Sequence, residues 1–330
     1  MSACGGADGD TGPPARDGFS RGANVTAYSR DALAQPRAVE ALRALRATGA
    51  DHVTFPVLWF QETATASALA PDADETPSDA SLLTAMSAAR ALGFGVGVAP
   101  HVNVRDGTFR GEIAPADRAA WHASHRAMVA HYAELARQGG ADLLVVGSEL
   151  PSMSRDTDAW RATIAVARER FDGQLTYAAN WVQEAEDVRF WDALDVVGID
   201  AYMLLTPAEP NPTEAELAAA WEPWVTRMRA VGERAGKPVR LTEVGYTSRV
   251  GTAQQPAVEG DGAVDQTAQA RAYAAALQAV GHRDWVAGAD IWDWSADGRE
   301  EPGDYSPQGK RAESVLSRWY GGGGATASGR

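Results

Sequence analysis

Short runs that are apolar at nearly every position alternate along this chain with longer segments whose apolar residues return at helical spacing. The runs are HVTFPVLWF (52–60), GFGVGVAPHV (93–102), ADLLVVGSEL (141–150), QLTYAANW (174–181), LDVVGIDAY (194–202), KPVRLTEVGY (237–246) and WVAGADIWDW (285–294), with GFSRGANVTAY (18–28) as a weaker first one. Most are apolar on both faces. That pattern predicts parallel strands covered by helices on one side and packed in a barrel interior on the other.

Between them, residues 117–138 place Trp121, Met128, Tyr132 and Leu135 on one helical face, with QGG as the stop. Residues 213–236 open with a capping box, Thr213 to Glu216, and repeat Leu217, Trp221, Trp224, Met228 and Val231 at helical spacing. Pro223 inside that pattern predicts a kink or two shorter helices. Trp121, Trp160, Trp191, Trp221 and Trp224 fall in helical patterns and are expected in the core. His122, His125 and His131 do not share one tight face and are expected on a solvated helix surface rather than around a metal.

Eight strand-then-helix units predict an α/β chain folded as a single-domain (β/α)8 TIM barrel over residues 19–320. Length alone would suggest about two domains, but barrels of this kind reach about 250 residues or more as one. A doubly wound open sheet is the competing architecture; it would usually carry a Gly-rich phosphate loop after its first strand, and the sequence has none there.

The net charge of -14 and pI near 4.9 disfavour nucleic acid and anionic membranes, leaving a neutral partner as the better fit. Cys4 is the only cysteine, so there is no intrachain disulfide and no cysteine cluster for zinc or iron–sulfur. The Gly-, Asp- and Pro-rich opening, residues 1–18, reads as a flexible leader, and residues 321–330 as a flexible tail. "SAC" followed by glycines resembles the end of a bacterial lipoprotein signal, which would make Cys4 a lipid anchor and place the protein extracellularly or at the cell surface. The other reading is an ordinary disordered terminus with a chance cysteine.

At the carboxyl ends of the strands, where barrels of this kind hold their reactive groups, a polar and aromatic set collects. It comprises Trp59 and Gln61, His101 and Asn103, Glu149, Asn180 and Trp181, Asp200 and Tyr202, Glu243 and Tyr246, and Trp292 and Trp294. Arg110, in the loop DGTFRGEI, is a further candidate for lining a substrate, and Asp200 is as readily a structural partner as a ligand. Two glutamates among aromatic rings suit hydrolysis of a glycosidic bond: one carboxylic acid protonates the leaving oxygen while the other carboxylate works at the anomeric carbon. Indole and phenol rings suit the apolar faces of pyranoses, and Asn, Gln and His suit their hydroxyls. No cofactor or metal is expected.

Taken together, LLVVGSEL, LTYAANW, FWDALDVVGIDAY, GKPVRLTEVGYTS and APHVNVRDGTFRGEI resemble, in order and spacing, glycoside hydrolase family 113, from about residue 19 to about residue 295. Characterised members of that family are mainly β-1,4-mannanases of the clan A barrels. The resemblance implies a retaining hydrolase of β-1,4-linked mannan or manno-oligosaccharides, with Glu149 as acid/base and Glu243 as nucleophile. It further implies that Tyr202 hydrogen-bonds the nucleophile and that Trp292 floors the subsite of the cleaved sugar. Ser148 stands where most clan families have an asparagine that contacts the substrate 2-hydroxyl, a departure family 113 tolerates; Asn180 is the candidate to read that hydroxyl instead. On this reading Glu243 stays ionised and Glu149 is held protonated, and the retaining route implies carboxylates roughly 5–5.5 Å apart. Hydrolysis of another β-glycan such as glucan or xylan, a metal-dependent sugar isomerase using Glu149, Asp200, Glu243 and His101, and a catalytically silent carbohydrate-binding barrel are the alternatives.

Overall fold

The computed structural model describes residues 14–206 and 211–321. Eight parallel strands close on themselves: β1 (Ser20–Thr26), β2 (His52–Gln61), β3 (Gly95–Val104), β4 (Leu143–Ser148), β5 (Gln174–Asn180), β6 (Val197–Asp200), β7 (Val239–Val244) and β8 (Val286–Ser295). Closure is made by β1, which pairs with β2 through Gly22–His52 and with β8 through Ser20–Gly288. Each strand is followed by a helix: α1 (Pro36–Ala47), α2 (Asp79–Ala91), α3 (Arg118–Gln138), α4 (Thr157–Arg168), α5 (Trp181–Asp187), α6 (Glu214–Ala235), α7 (Gln266–Val280) and α8 (Arg311–Tyr320). This is the expected (β/α)8 barrel.

The outer faces of the strands and the inner faces of the helices form one large apolar layer, in which Trp121, Trp160 and Trp221 are fully buried, Trp191 nearly so, and Trp224 packs partly buried against it. The barrel interior is smaller and mixed. Ala99, Val145 and Ala178 meet there, and below them Arg240 clasps Asp290 with contacts of 2.6 and 3.0 Å. Burial would raise the Asp290 carboxyl, but Arg240 overrides it and holds the group at about 2. Gly22 is required beside this pair, because a Cβ there would lie 1.5 Å from Asp290 Oδ1.

The ladders slip in register between Val145 and Ser148, between Ile199 and Asp200, and between Leu241 and Val244. Bulges of this kind re-aim side chains at the ends of strands. Here they flank Glu149 and Glu243.

Three expectations are corrected or narrowed. Pro223 does not divide its segment into two helices, one of the two outcomes expected: α6 is continuous, with Pro223 and Ala219, whose carbonyl loses its partner, both on the exposed face. His122 and His125 are buried rather than solvated, because they sit in the stripe of α3 that packs against α4; His125 stacks on Trp121 at 5.0 Å and meets Trp160 edge-on. Only His131 is exposed, bonded to Asp79 at 2.9 Å. Finally, the tethered part of the chain begins before residue 19: Ala15 N–H donates to Trp319 and Arg16 N–H to Gly281. Cys4 and all but the first residue of the tail lie outside the described residues.

Candidate active site

Glu149 follows β4 directly, and its backbone has φ +54°, a conformation rare outside glycine. Gly147 and Ser148 make that ending possible. A Cβ on Gly147 would lie 2.5 Å from the Trp160 ring and 3.1 Å from Tyr177, so only glycine lets those rings close on the strand. Ser148 turns inward and donates to Asp200 Oδ2 at 3.1 Å. Glu243 lies within β7, and Tyr202, two residues past β6, donates to its Oε2 at 2.7 Å.

Both glutamates face one cleft of about 430 Å³ at the carboxyl end of the barrel, with Phe109, Arg110, Asn180, Trp181, Tyr202, Ala257, Glu259, Trp292 and Tyr305 completing its lining. A larger depression of about 790 Å³ lies elsewhere, around Ser29, Arg37 and Arg299. Arg37 and Arg299 in it are paired with Glu300 and Asp297, and neither of the two cleft glutamates reaches it.

Arg110 organises one wall of the cleft. It donates to Asn103 Oδ1 at 2.9 Å, sits 3.6 Å from Glu149 Oε2, and lies 3.1 Å from His101 Nδ1. A guanidinium can only donate, so Nδ1 must accept and the proton of His101 sits on Nε2, which faces Glu243 Oε1 at 3.8 Å. Burial, aided by Arg110, pushes His101 well below its ordinary range, so the ring is neutral. It stacks on Trp292 with 6.1 Å between ring centres.

Burial raises the carboxyl of Glu149, against the pull of Arg110. It also raises Glu243, to about 8, with the charge of Glu149 adding and Tyr202 and Arg110 opposing. Where only Glu149 was expected to be raised, burial thus raises both carboxyls, and the charge of Glu149 adds to the shift at Glu243. Asp200, beneath them, is pushed well above the carboxylate range by burial and then by the charges of Glu243 and Glu149.

Three aromatic candidates do not reach the cleft. Trp59 points outward from β2 and donates to Tyr132 of α3 at 2.9 Å. Tyr246 is fully buried with its ring edge-on to Tyr273 of α7, and Trp294 is fully buried and donates to the Ala41 carbonyl of α1 at 2.9 Å. Gln61 is likewise committed, to Trp121 at 2.8 Å. In compensation the loops supply rings that the strand ends did not predict. Phe109 stands exposed beside Arg110, and Tyr305, after β8, packs edge-on to Tyr202. Neither ends a strand, so only their aromatic character in loops rising from the top face could have drawn notice.

Among the described residues no group of three or more His, Cys, Asp or Glu side chains could hold a metal ion. The donor set explains why: the guanidinium of Arg110 already occupies the space between His101, Asn103 and Glu149. The isomerase reading loses its ligand cage.

The model of glycoside hydrolase family 113 matches residues 25–312. The chain belongs to glycoside hydrolase family 113. Among solved structures, the family 113 β-mannanase AaManA from Alicyclobacillus acidocaldarius, in complex with ManMIm, is 32% identical, with a TM-score of 0.82 over 92% of this chain and 97% of that one. A family 113 β-1,4-mannanase solved as a complex is 28% identical, with a TM-score of 0.83 over 92% of this chain and 99% of that one. The β-glucuronidase of Ruminococcus gnavus, at 12% identity and a TM-score of 0.61, covers 92% of this chain and half of its own, at 50%, and shares the fold alone. A comparison with curated proteins finds no match. As a family 113 member the chain is a glycoside hydrolase.

Proposed function

We propose that this family 113 member cleaves β-1,4-linked mannan or manno-oligosaccharides with retention of anomeric configuration, with Glu243 as nucleophile and Glu149 as acid/base. The observation that carries the reading is the pair itself: two glutamates from the ends of strands four and seven facing one cleft, Glu149 part-buried and Glu243 buried and hydrogen-bonded by Tyr202. The substrate class rests on the two mannanases that match nearly the whole chain.

The first step needs one proton on the pair. With Tyr202 donating to Oε2 and the Nε2–H of His101 facing Oε1, negative charge is better placed on Glu243, and the proton belongs on Glu149. Glu243 then attacks the anomeric carbon while Glu149 transfers its proton to the glycosidic oxygen, breaking the carbon–oxygen bond and releasing the leaving sugar. In the resulting ester Glu243 carries no charge, so Glu149 can ionise without a second anion facing it across the cleft. Glu149, now anionic, takes a proton from the water that attacks the same carbon, freeing Glu243 and giving the retained product.

Around this centre, Trp292, Tyr305, Trp181 and Phe109 offer ring faces to sugar, and Arg110 and Asn180 offer polar groups. Ser148, being committed to Asp200 and buried, is not free to meet a 2-hydroxyl, which supports Asn180 for that contact. A polymeric mannan is met outside the cell, and this supports an extracellular or cell-surface location.

The test is product release from β-1,4-mannan, glucomannan, cellulose and xylan oligosaccharides by the unmodified protein and by Glu243→Ala. Mannan cleavage by the former alone, with the β-anomer appearing first in the proton NMR spectrum, is expected. Glutamate-dependent cleavage of a different glycan would replace the substrate, first appearance of the α-anomer would overturn retention, and undiminished activity of Glu243→Ala would overturn the assignment of the nucleophile.

A further inference from the structure

Beside the Asn180–Trp181 corner of the cleft lies a further glutamate, this one buried, that the proposed chemistry does not use. Glu184 of α5 is 4% exposed. Its Oε1 accepts the Tyr177 hydroxyl at 2.6 Å, and its Oε2 accepts the backbone N–H of Asn180, also at 2.6 Å. The Tyr177 oxygen in turn accepts the N–H of Leu150, the residue after Glu149, at 2.9 Å. On the other side, the N–H of Glu149 itself donates to the carbonyl of Ala178 at 2.9 Å.

Both amides that bracket the left-handed turn at Glu149 are thus tied to β5, one to its backbone and one to its tyrosine. A non-glycine residue at φ +54° persists only where its surroundings over-determine it. The hydroxyl of Tyr177 can serve as that restraint only while something fixes the ring's oxygen. Glu184 does so, and with its second oxygen it also holds the start of the Asn180–Trp181 corner that lines the cleft.

We propose that Glu184 is a positioning residue for Glu149, acting through Tyr177 and the Leu150 amide to hold the acid/base carboxyl in line with the leaving oxygen. The inference rests on the reading of Glu149 as acid/base. Burial pushes Glu184 up to about 7, and the charge of Glu149 adds to this, so the two carboxyls are within electrostatic reach of each other.

A misplaced acid slows cleavage only where the leaving group needs a proton. The test therefore compares kcat/KM on a manno-oligosaccharide with kcat/KM on a dinitrophenyl β-mannobioside, whose leaving group departs unaided; this ratio reports the bond-breaking step on both. In Glu184→Gln the amide oxygen can accept from only one of the two groups; with it on the Asn180 N–H, the N–H2 must donate to the Tyr177 oxygen, which reverses that bond and competes with the Leu150 N–H for the same lone pairs, without a change of volume. The expected result is a loss of about tenfold or more on the oligosaccharide, the order that a small displacement of a reacting group costs, and little change on the aryl substrate. Tyr177→Phe, which removes the relay but leaves the ring packed on Trp160, should show the same selective loss, and it decides the matter if Glu184→Gln does not fold.

Equal losses on both substrates, or none on either, would overturn the positioning role. Glu149→Ala is run alongside as the reference. If that variant shows no selectivity for leaving group, the acid/base assignment itself falls and the proposal with it; if it does while the Glu184 and Tyr177 variants do not, only the positioning role is overturned.

Discussion

Asp200 Oδ1 accepts a 2.7 Å hydrogen bond from the hydroxyl of Thr242, the residue before Glu243. Its other oxygen takes the hydroxyl of Ser148, the residue before Glu149, so a single carboxyl under the cleft floor ties together the two strand ends that carry the glutamates. Both of its oxygens are thus committed to barrel side chains, and it does not line the cleft. Burial and the two neighbouring charges push it well above the carboxylate range, which favours its neutral form, so a neutral amide should replace it. Asp200→Asn is expected to keep its urea midpoint and most of its activity. Asp200→Ala, which strands two buried hydroxyls, should lose about 1–3 kcal/mol of stability. Equal destabilisation of the two variants in urea titrations would mean that the buried carboxyl is charged.

Tyr202 bonds the Oε2 of Glu243 and is itself buried, so its loss leaves the carboxylate one donor short. Tyr202→Phe should cost about 1.5–3 kcal/mol of transition-state stabilisation, roughly ten- to hundredfold in kcat, with a smaller change in KM. The sign on the pH profile follows from the same bond. Tyr202 lowers the pKa of Glu243, so without it that pKa rises and the acidic limb of kcat/KM moves to higher pH. A rise in KM alone, with the acidic limb unmoved, would refute a catalytic role for the contact with Glu243.

The barrel was legible because its strands are buried on both faces and the breaks between them are polar, which a hydropathy pattern records directly. Glu149 and Glu243 stood out for a related reason, as carboxylates ending apolar runs. Which way a neighbouring side chain points was less legible. A slip of one residue turns a strand's side chains to the opposite face, and the bulges at these strand ends leave no mark in the pattern. Trp59, on a strand paired in unbroken register, and Trp294 looked like cleft residues because a run apolar on both faces does not say to which face a ring turns; both belong to the helix layer, while Phe109 and Tyr305 belong to the cleft and come from loops whose course no periodicity fixes. His125 was readable in principle. It sits four residues after Trp121 and three before Met128, squarely in the apolar stripe of α3, but its polar type outweighed its position.

Arg110 acts on three titrating groups at once, lowering Glu149, Glu243 and His101. Removing its charge removes the stabilisation of both carboxylates in their ionised form, so both of their pKa values rise. Arg110→Gln is expected to shift both limbs of the kcat/KM profile to higher pH, with a lower maximum because His101 and Asn103 lose their common donor. An unchanged profile would show that the cleft carboxylates do not feel Arg110 and that it serves binding alone.

His125 lies between Trp121 and Trp160 with neither ring nitrogen bonded, and burial, aided by the nearby charges of His122 and Arg126, pushes its pKa down to about 3. In the unfolded chain the same ring titrates near 6.5. A base with a depressed folded pKa binds its proton more readily when unfolded. Its neutral, packed state is therefore fully stable above the unfolded value, and stability drains away as pH falls from 6.5 toward 3. His125→Phe keeps an aromatic ring on Trp121 and has no proton to take. Melting temperatures measured from pH 8 down to pH 4 should fall less steeply in His125→Phe than in the unmodified protein, with the two curves closest above pH 7. Parallel curves across that range would mean that His125 is solvated or hydrogen-bonded in the folded state, and that acid unfolding is governed elsewhere.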